Sequence, residues 1–209
     1  MARYKNRNDA GKQLAELLKN KIRGQPAVVF GLARGGIIIA WEIAKALNIP
    51  LGVIMTRKIG APFNPELAIG AITETGEGYF DEKLIRSLDA SEEYIQKQVA
   101  QEKQEAKRRL ELYPTEDIKV KGCIALIVDD GIATGATMMA AIKSIKEKHP
   151  AKVIVAAPVA PPESVEFIKK KADEVICLFI SQDFFGVSQF YDEFHQVTDA
   201  EIIDLLEKE

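Results

Sequence analysis

Short apolar runs recur along this sequence, and their spacing restricts the folds open to it more than any other feature. Ala27–Leu32 (AVVFGL), Leu51–Met55, Cys123–Val128 (CIALIV), Val153–Val159 and Glu174–Leu178 have strand length and are mostly apolar without a polar alternation. Such runs belong to strands covered on both faces, which parallel sheets require. Helical spacing alternates with them. Asn8–Ile22 puts Leu14, Leu17, Leu18 and Ile22 on one face, with Asn8 or Asp9 near its start. Ile37–Leu47, Thr134–Lys148, Glu163–Lys171 and a last helix from about Asp199 complete the alternation. The expected fold class is α/β, a doubly wound parallel sheet formed by one domain over residues 1–209. With 47% apolar residues the chain can build a sizeable core.

Between residues 56 and 121 the alternation stops, and an insertion is expected there. Thr56–Pro65 reads as a basic, Gly/Pro-containing loop, and Glu66–Thr73 with Gly78–Phe80 as a hairpin. Ser91–Tyr113 reads as a long helix capped by Ser91, with Glu92 and Glu93 in its first turn. Its five acidic and five basic residues cancel, and its apolar stripe (Ile95, Val99, Ala106, Leu110, Tyr113) is narrow. That stripe is read as packing on its own domain, with a neighbouring subunit as the other cover; a homodimer is the expected assembly.

The net charge of −3 provides no bulk basic field, so neither nucleic acid nor an anionic membrane is an expected partner. Any bound anion must be held by local chemistry. No charged-then-apolar leader is visible at the start and no apolar run is long enough to span a bilayer, so a cytoplasmic location is expected. Cys123 and Cys177 lie in apolar runs, outside any CxxC spacing, and read as reduced core residues. His149 and His195 form no ligand pair, and no GxSxG is present.

In doubly wound sheets ligands bind beyond the carboxyl ends of strands, which directs attention to two strand-to-helix turns. The first is Gly31-Leu32-Ala33-Arg34-Gly35-Gly36; the second is Asp129-Asp130-Gly131-Ile132-Ala133-Thr134-Gly135-Ala136-Thr137. Glycines admit a ligand close to the backbone, and the N–H groups at a helix start attract an anion. Small residues at Ala133, Gly135 and Ala136 keep those groups open, and Thr134 and Thr137 add hydroxyls. Neither turn fits GxGxxG or a P-loop. Asp129 and Asp130 would repel an anion unless a sugar diol, a divalent cation or both intervened. Arg34, Arg57 and Lys58, at the ends of two consecutive strands, read as a cationic cluster. The implied ligand carries a phosphate, a sugar diol and a more highly charged anion.

Leu126–Thr137 resembles the phosphoribosyl-pyrophosphate (PRPP) loop of the type I phosphoribosyltransferases, and Leu32–Gly36 resembles the pyrophosphate loop of the same family. Thr56–Pro62, Asn64–Ala71, Phe190-Tyr191 and Gln196–Asp199 are similar to one branch, a group of predicted phosphoribosyltransferases whose acceptor is unassigned. The resemblance implies an Mg²⁺-assisted displacement of pyrophosphate from PRPP by a nitrogen nucleophile. It implies that Asp129 and Asp130 hold the ribose hydroxyls and the metal, that Ala133 to Thr137 hold the 5′-phosphate, and that Arg34, Gly35 and Gly36 hold pyrophosphate, with Ala33 and Gly131 as further substrate-binding residues. Arg57 and Lys58 would face that leaving group at the foot of a mobile segment, Ile59–Pro65. The bond before Arg34 would be a non-proline cis peptide. A C-terminal hood (about 179–197) would cover the acceptor, with Phe184, Phe185 and Tyr191 as candidate stacking residues. Glu66 and Asn64 are further candidates. Members acting on 6-oxopurines carry Asp where this chain has Ala133 and Lys near Val159, so such an acceptor is not expected. A PRPP-sensing regulator on the same fold, without turnover, is the alternative.

Overall fold

The computed structural model describes residues 3–115 and 118–208; Glu116 and Asp117, inside the expected insertion, lie outside the described residues. Helix α1 (Arg7–Ile22) leads to strand β1 (Ala27–Leu32), helix α2 (Gly35–Leu47) and strand β2 (Leu51–Ile54). The insertion contributes β3 (Thr56–Ala61), β4 (Asn64–Thr73), β5 (Gly78–Phe80), α3 (Glu82–Ser87) and α4 (Glu92–Leu110). The alternation resumes with β6 (Ile124–Val128), α5 (Ala136–Lys146), β7 (Lys152–Ala160), α6 (Pro162–Lys169) and β8 (Glu174–Ile180). A 3₁₀ turn at Val187–Phe190 and helix α7 (Asp199–Leu206) close the chain. No helix among the described residues is long and apolar enough to cross a membrane.

Five strands form the expected parallel sheet, in the order β2-β1-β6-β7-β8. Alternate residues of each strand face opposite sides. Val29, Leu126, Val128 and Ile154 meet α1, α2 and α7, whereas Val28, Phe30, Ile127 and Val155 meet α5 and α6. Every residue of β1 and β6 is buried, which is why both read as unbroken apolar runs. Each such Leu or Ile side chain contributes roughly 1.5–3 kcal/mol on burial. From β1 the chain steps outward to β2, then returns to place β6 on the opposite side of β1. The strand order therefore reverses between β1 and β6, and a crevice opens at their carboxyl ends. The two glycine-containing turns lie there.

The insertion departs from the expected outline. Thr56–Pro65 is not a loop: β3 pairs antiparallel with β4, Thr56 opposite Thr73 and Lys58 opposite Ala71. A register shift between Ile59 and Gly60 breaks the two-residue period that would have marked the strand. Ile59 and Ala61 are buried with Ile69, Ile72 and Ile95 in a separate small core under α4. The turn lies at Pro62-Phe63, where Phe63 adopts a left-handed φ of 65° and is fully exposed. Helix α3, absent from the sequence reading, is capped by Asp81, which accepts from the N–H groups of Lys83 and Leu84. Ser91 caps α4 as expected, accepting from Tyr94 N. Helix α1 starts at Arg7 and is capped by Asn6, just ahead of the Asn8 or Asp9 expected near its start. Cys123 and Cys177 are free thiols, each half-buried rather than fully interior.

Candidate functional site

The first turn of α2 packs directly on the acid pair. A Cβ on Gly36 would lie 2.7 Å from the Val128 carbonyl oxygen and 3.0 Å from the Asp129 Cα, and one on Gly35 would overlap the Asp130 carboxylate. Only glycines allow the two turns this approach. The Ala33–Arg34 peptide is cis. Ala33 N donates to Ile54 O at 3.1 Å, which ties this turn to the end of β2.

The second turn is anchored on both sides. Ile132 N donates to Val159 O at 2.9 Å, and the buried Ser164 hydroxyl donates to Ala133 O. Gly135, at φ 83°, is the residue from which α5 begins, so helical geometry starts at Ala136 rather than at Thr134. Ala133 and Thr134 are exposed, and Ala136 and Thr137 half-buried. A cleft of about 1050 Å³ is bordered by Ala33, Asp129 and residues 131–137, and also by Arg57, Lys58 and Glu66. Open N–H groups at a helix start and two threonine hydroxyls can cradle a phosphate there.

Each acid commits one oxygen within the protein. Asp129 Oδ1 accepts from Asp130 N at 2.9 Å, and Asp130 Oδ2 accepts from Arg7 Nε at 2.7 Å. Arg7 is only 6% exposed, and its Nη1 donates to His195 O at 3.0 Å. The Phe194 ring lies 3.8 Å from its guanidinium carbon. Burial, then the charge of Asp130, pushes the Asp129 carboxyl well above the usual carboxylate range. Burial raises Asp130 as well, with Arg7 opposing it.

The three expected cations are divided. Arg57 and Lys58 border the cleft, Arg57 held by Glu102 of α4 at 2.6 Å. Arg34 instead faces an adjoining recess of about 390 Å³, shared with Arg7, Gly35 and residues 194–197. There its Nη1 is 3.8 Å from Asp199 Oδ1, which also accepts from the Tyr113 hydroxyl at 2.6 Å. The candidate stacking residues are likewise scattered. Phe185 is 93% exposed, and Phe184 packs on Phe190. Tyr191 is buried between Tyr4 and Phe194, with its hydroxyl donating to Asp130 O at 2.5 Å. Its ring face is closed to a ligand, because the core already covers it.

Sequence reasoning missed Arg7, Ser164 and Glu102. Arg7 did leave a signal: a cation in a helix's first turn opposes the helix dipole and calls for an acidic partner. The other two left none, because their partners are remote in sequence. Among the described residues no group of three or more His, Cys, Asp or Glu gathers to cage a metal. Two adjacent carboxylates supply hard oxygen donors of the kind Mg²⁺ takes one or two at a time beside ligand oxygens.

A family model described as "Phosphoribosyl transferase domain" matches residues 2–195. A Mycobacterium tuberculosis protein provisionally named a phosphoribosyl transferase is 41% identical over 214 aligned positions, covering 100% of this chain and 47% of that protein. The chain thus spans about half the length of that curated relative. A crystal structure of a Thermus thermophilus protein superposes with a TM-score of 0.80 at 38% identity, covering 99% of this chain and 98% of that one. A Mycoplasma genitalium uracil phosphoribosyltransferase is 49% identical over only 45 residues, 22% of each chain.

Proposed function

The chain belongs to the phosphoribosyl transferase family, and we propose that it transfers the phosphoribosyl group of PRPP to a nitrogen nucleophile, releasing pyrophosphate. One observation supports this reading: Asp129 borders the same cleft as the Ala133–Thr137 turn, and both acids pack against the glycine turn of α2, at the point where the strand order reverses. A 5′-phosphate fits the N–H groups and hydroxyls of Ala133–Thr137. Asp129, which borders the cleft, and Asp130 beside it accept from the ribose hydroxyls. The backbone of Ala33–Gly36 receives the pyrophosphate, with Arg34 at its flank and Arg57 and Lys58 across the cleft.

In the reaction the bond from ribose C1 to the pyrophosphate oxygen breaks, and a bond from C1 to the acceptor nitrogen forms. Positive charge builds on the sugar ring, beside Asp129 and Asp130, and negative charge on the leaving group, facing Arg57 and Lys58. Groups fixed in advance at the sites of developing charge are the strongest source of catalysis available here. Mg²⁺, held by Asp129 and Asp130 together with ligand oxygens, would supply Lewis-acid stabilisation of that leaving group. The β3–β4 turn, with its exposed Phe63, is the element suited to cover the cleft and exclude water.

The acceptor is proposed to be nucleobase-like but not a 6-oxopurine. Gly131 is backed by the side chains of Val187 and Val159, apolar groups with no donor for an exocyclic oxygen. Of the three hood candidates only Tyr191 is closed to a ligand, so Phe184 and Phe185 are proposed to approach the acceptor; Tyr79 and Phe167 also border the cleft. The deciding experiment is a screen for pyrophosphate release from PRPP across nucleobases and other nitrogen nucleophiles. The proposal expects release with one acceptor class and its loss in Asp130→Asn. PRPP binding with no release for any acceptor would instead select a PRPP-sensing protein.

A further inference from the structure

Arg7 is the most deeply buried cation near the site, yet it touches neither the phosphate cradle nor the large cleft. Its position opposes two general preferences. It lies in the first turn of α1, where the helix dipole disfavours positive charge, and it is 6% exposed, where desolvation penalises charge. Three contacts from two distant segments offset this. Nε donates to Asp130 Oδ2 at 2.7 Å, Nη1 donates to His195 O at 3.0 Å, and the guanidinium lies over the Phe194 ring.

Asp130 is held from every side by this arrangement. Gly35 packs on the same Oδ2 oxygen that Arg7 engages, so the carboxylate cannot swing toward α2. Its backbone carbonyl accepts from the Tyr191 hydroxyl, and Tyr191 in turn packs on Phe194 and Tyr4. One carboxylate oxygen is thereby committed and the side chain is restrained.

We infer that Arg7 is a positioning residue for the sugar end of the donor site, aiming Asp130 at the ribose and locking that carboxylate to the C-terminal hood through Phe194 and His195. The inference rests on the proposed donor reading, in which the acid pair accepts from ribose hydroxyls. It goes beyond that reading by making sugar recognition depend on the contacts of Arg7 with Phe194 and His195, which the Ala133–Thr137 turn does not share. The turn at Ala133–Thr137 is anchored by Val159 and Ser164, whereas the Arg7 side chain donates to Asp130 and His195.

The test uses the full chain and two probes, PRPP with Mg²⁺ and inorganic phosphate, each titrated calorimetrically into wild type, Arg7→Met and Arg7→Lys. Removing a residue that orients a ligating carboxylate typically weakens binding by roughly 10–100-fold. Arg7→Met is expected to lose PRPP affinity in that range while its affinity for inorganic phosphate stays unchanged. Arg7→Lys, which keeps a charge at Asp130 but cannot also reach His195, is expected to recover only part of the loss. A general packing role would lower both affinities together, and that result overturns the inference. Unchanged PRPP affinity in Arg7→Met overturns it as well. Absence of PRPP binding in wild type would overturn the donor reading and this inference with it, so the two failures are distinguishable. If Arg7→Met does not fold, Phe194→Leu carries the test by removing the ring beneath the guanidinium. PRPP affinity should then fall several-fold with phosphate binding intact, and no change in either would overturn the inference.

Discussion

A methyl group on Gly36 would sit 2.7 Å from the Val128 carbonyl oxygen and 3.0 Å from both the Cα and Oδ1 of Asp129. Gly36→Ala must therefore shift either α2 or the acid pair. A displacement near 1 Å in a reacting site costs on the order of a hundredfold in rate. The expected outcome is a folded protein whose PRPP affinity and pyrophosphate release both fall steeply, measured by calorimetry and a release assay. Tyr4 makes a second prediction at this scale. It is 1% exposed, its hydroxyl donates to Pro158 O at 2.8 Å, and burial pushes its phenol up to about 12 from an ordinary value of 10.0. A value raised in the folded state contributes stability that is complete below about pH 10 and lost as the pH climbs through about 12. Denaturant melts across that window should show a falling alkaline limb in wild type. Burial raises Tyr113, Tyr191 and Cys177 as well, so Tyr4→Phe should make the limb shallower rather than abolish it, while losing about 1 kcal/mol at neutral pH.

At the scale of elements, the insertion is a three-stranded sheet with its own small core, joined to the site by Arg57. Glu102 of α4 holds Arg57 from behind at 2.6 Å, and the Tyr94 hydroxyl donates to Gly60 O at 3.1 Å. The long helix thus braces the strand that carries both cleft cations. Ile72 is fully buried in that core, and Ile72→Ala should cost about 2–5 kcal/mol in equilibrium unfolding. Because the same core supports the β3–β4 turn, the ratio of PRPP hydrolysis to transfer should rise in this variant. An unchanged ratio would separate the turn from water exclusion. The strands β1 and β6 were legible in sequence because burial on both faces leaves no polar residue within them. Strand β3 was not, since Gly60 and the adjoining register shift interrupt its alternation.

Across the whole molecule, what could be read in sequence and what could not divide by sequence distance. The two turns were legible because each is local, a strand end running into a helix start. Their mutual packing was not, nor was Arg7, whose partner Asp130 is 123 positions away. Arg34, Arg57 and Lys58 all follow strand ends in sequence, but the turn after β1 directs Arg34 into the neighbouring recess, apart from the other two. A ligand that bridges both turns should stabilise the entire fold. At a hundredfold excess over its dissociation constant the gain is about 2.7 kcal/mol, and for a chain of this size each kcal/mol raises Tm by roughly 2–4 °C. The most direct test of a single donor site built from both turns is calorimetric titration of PRPP with and without Mg²⁺, on wild type and Asp129→Asn. Saturable one-to-one binding that needs Mg²⁺ and is lost in the variant is the predicted result; no binding to wild type in either condition would contradict the account.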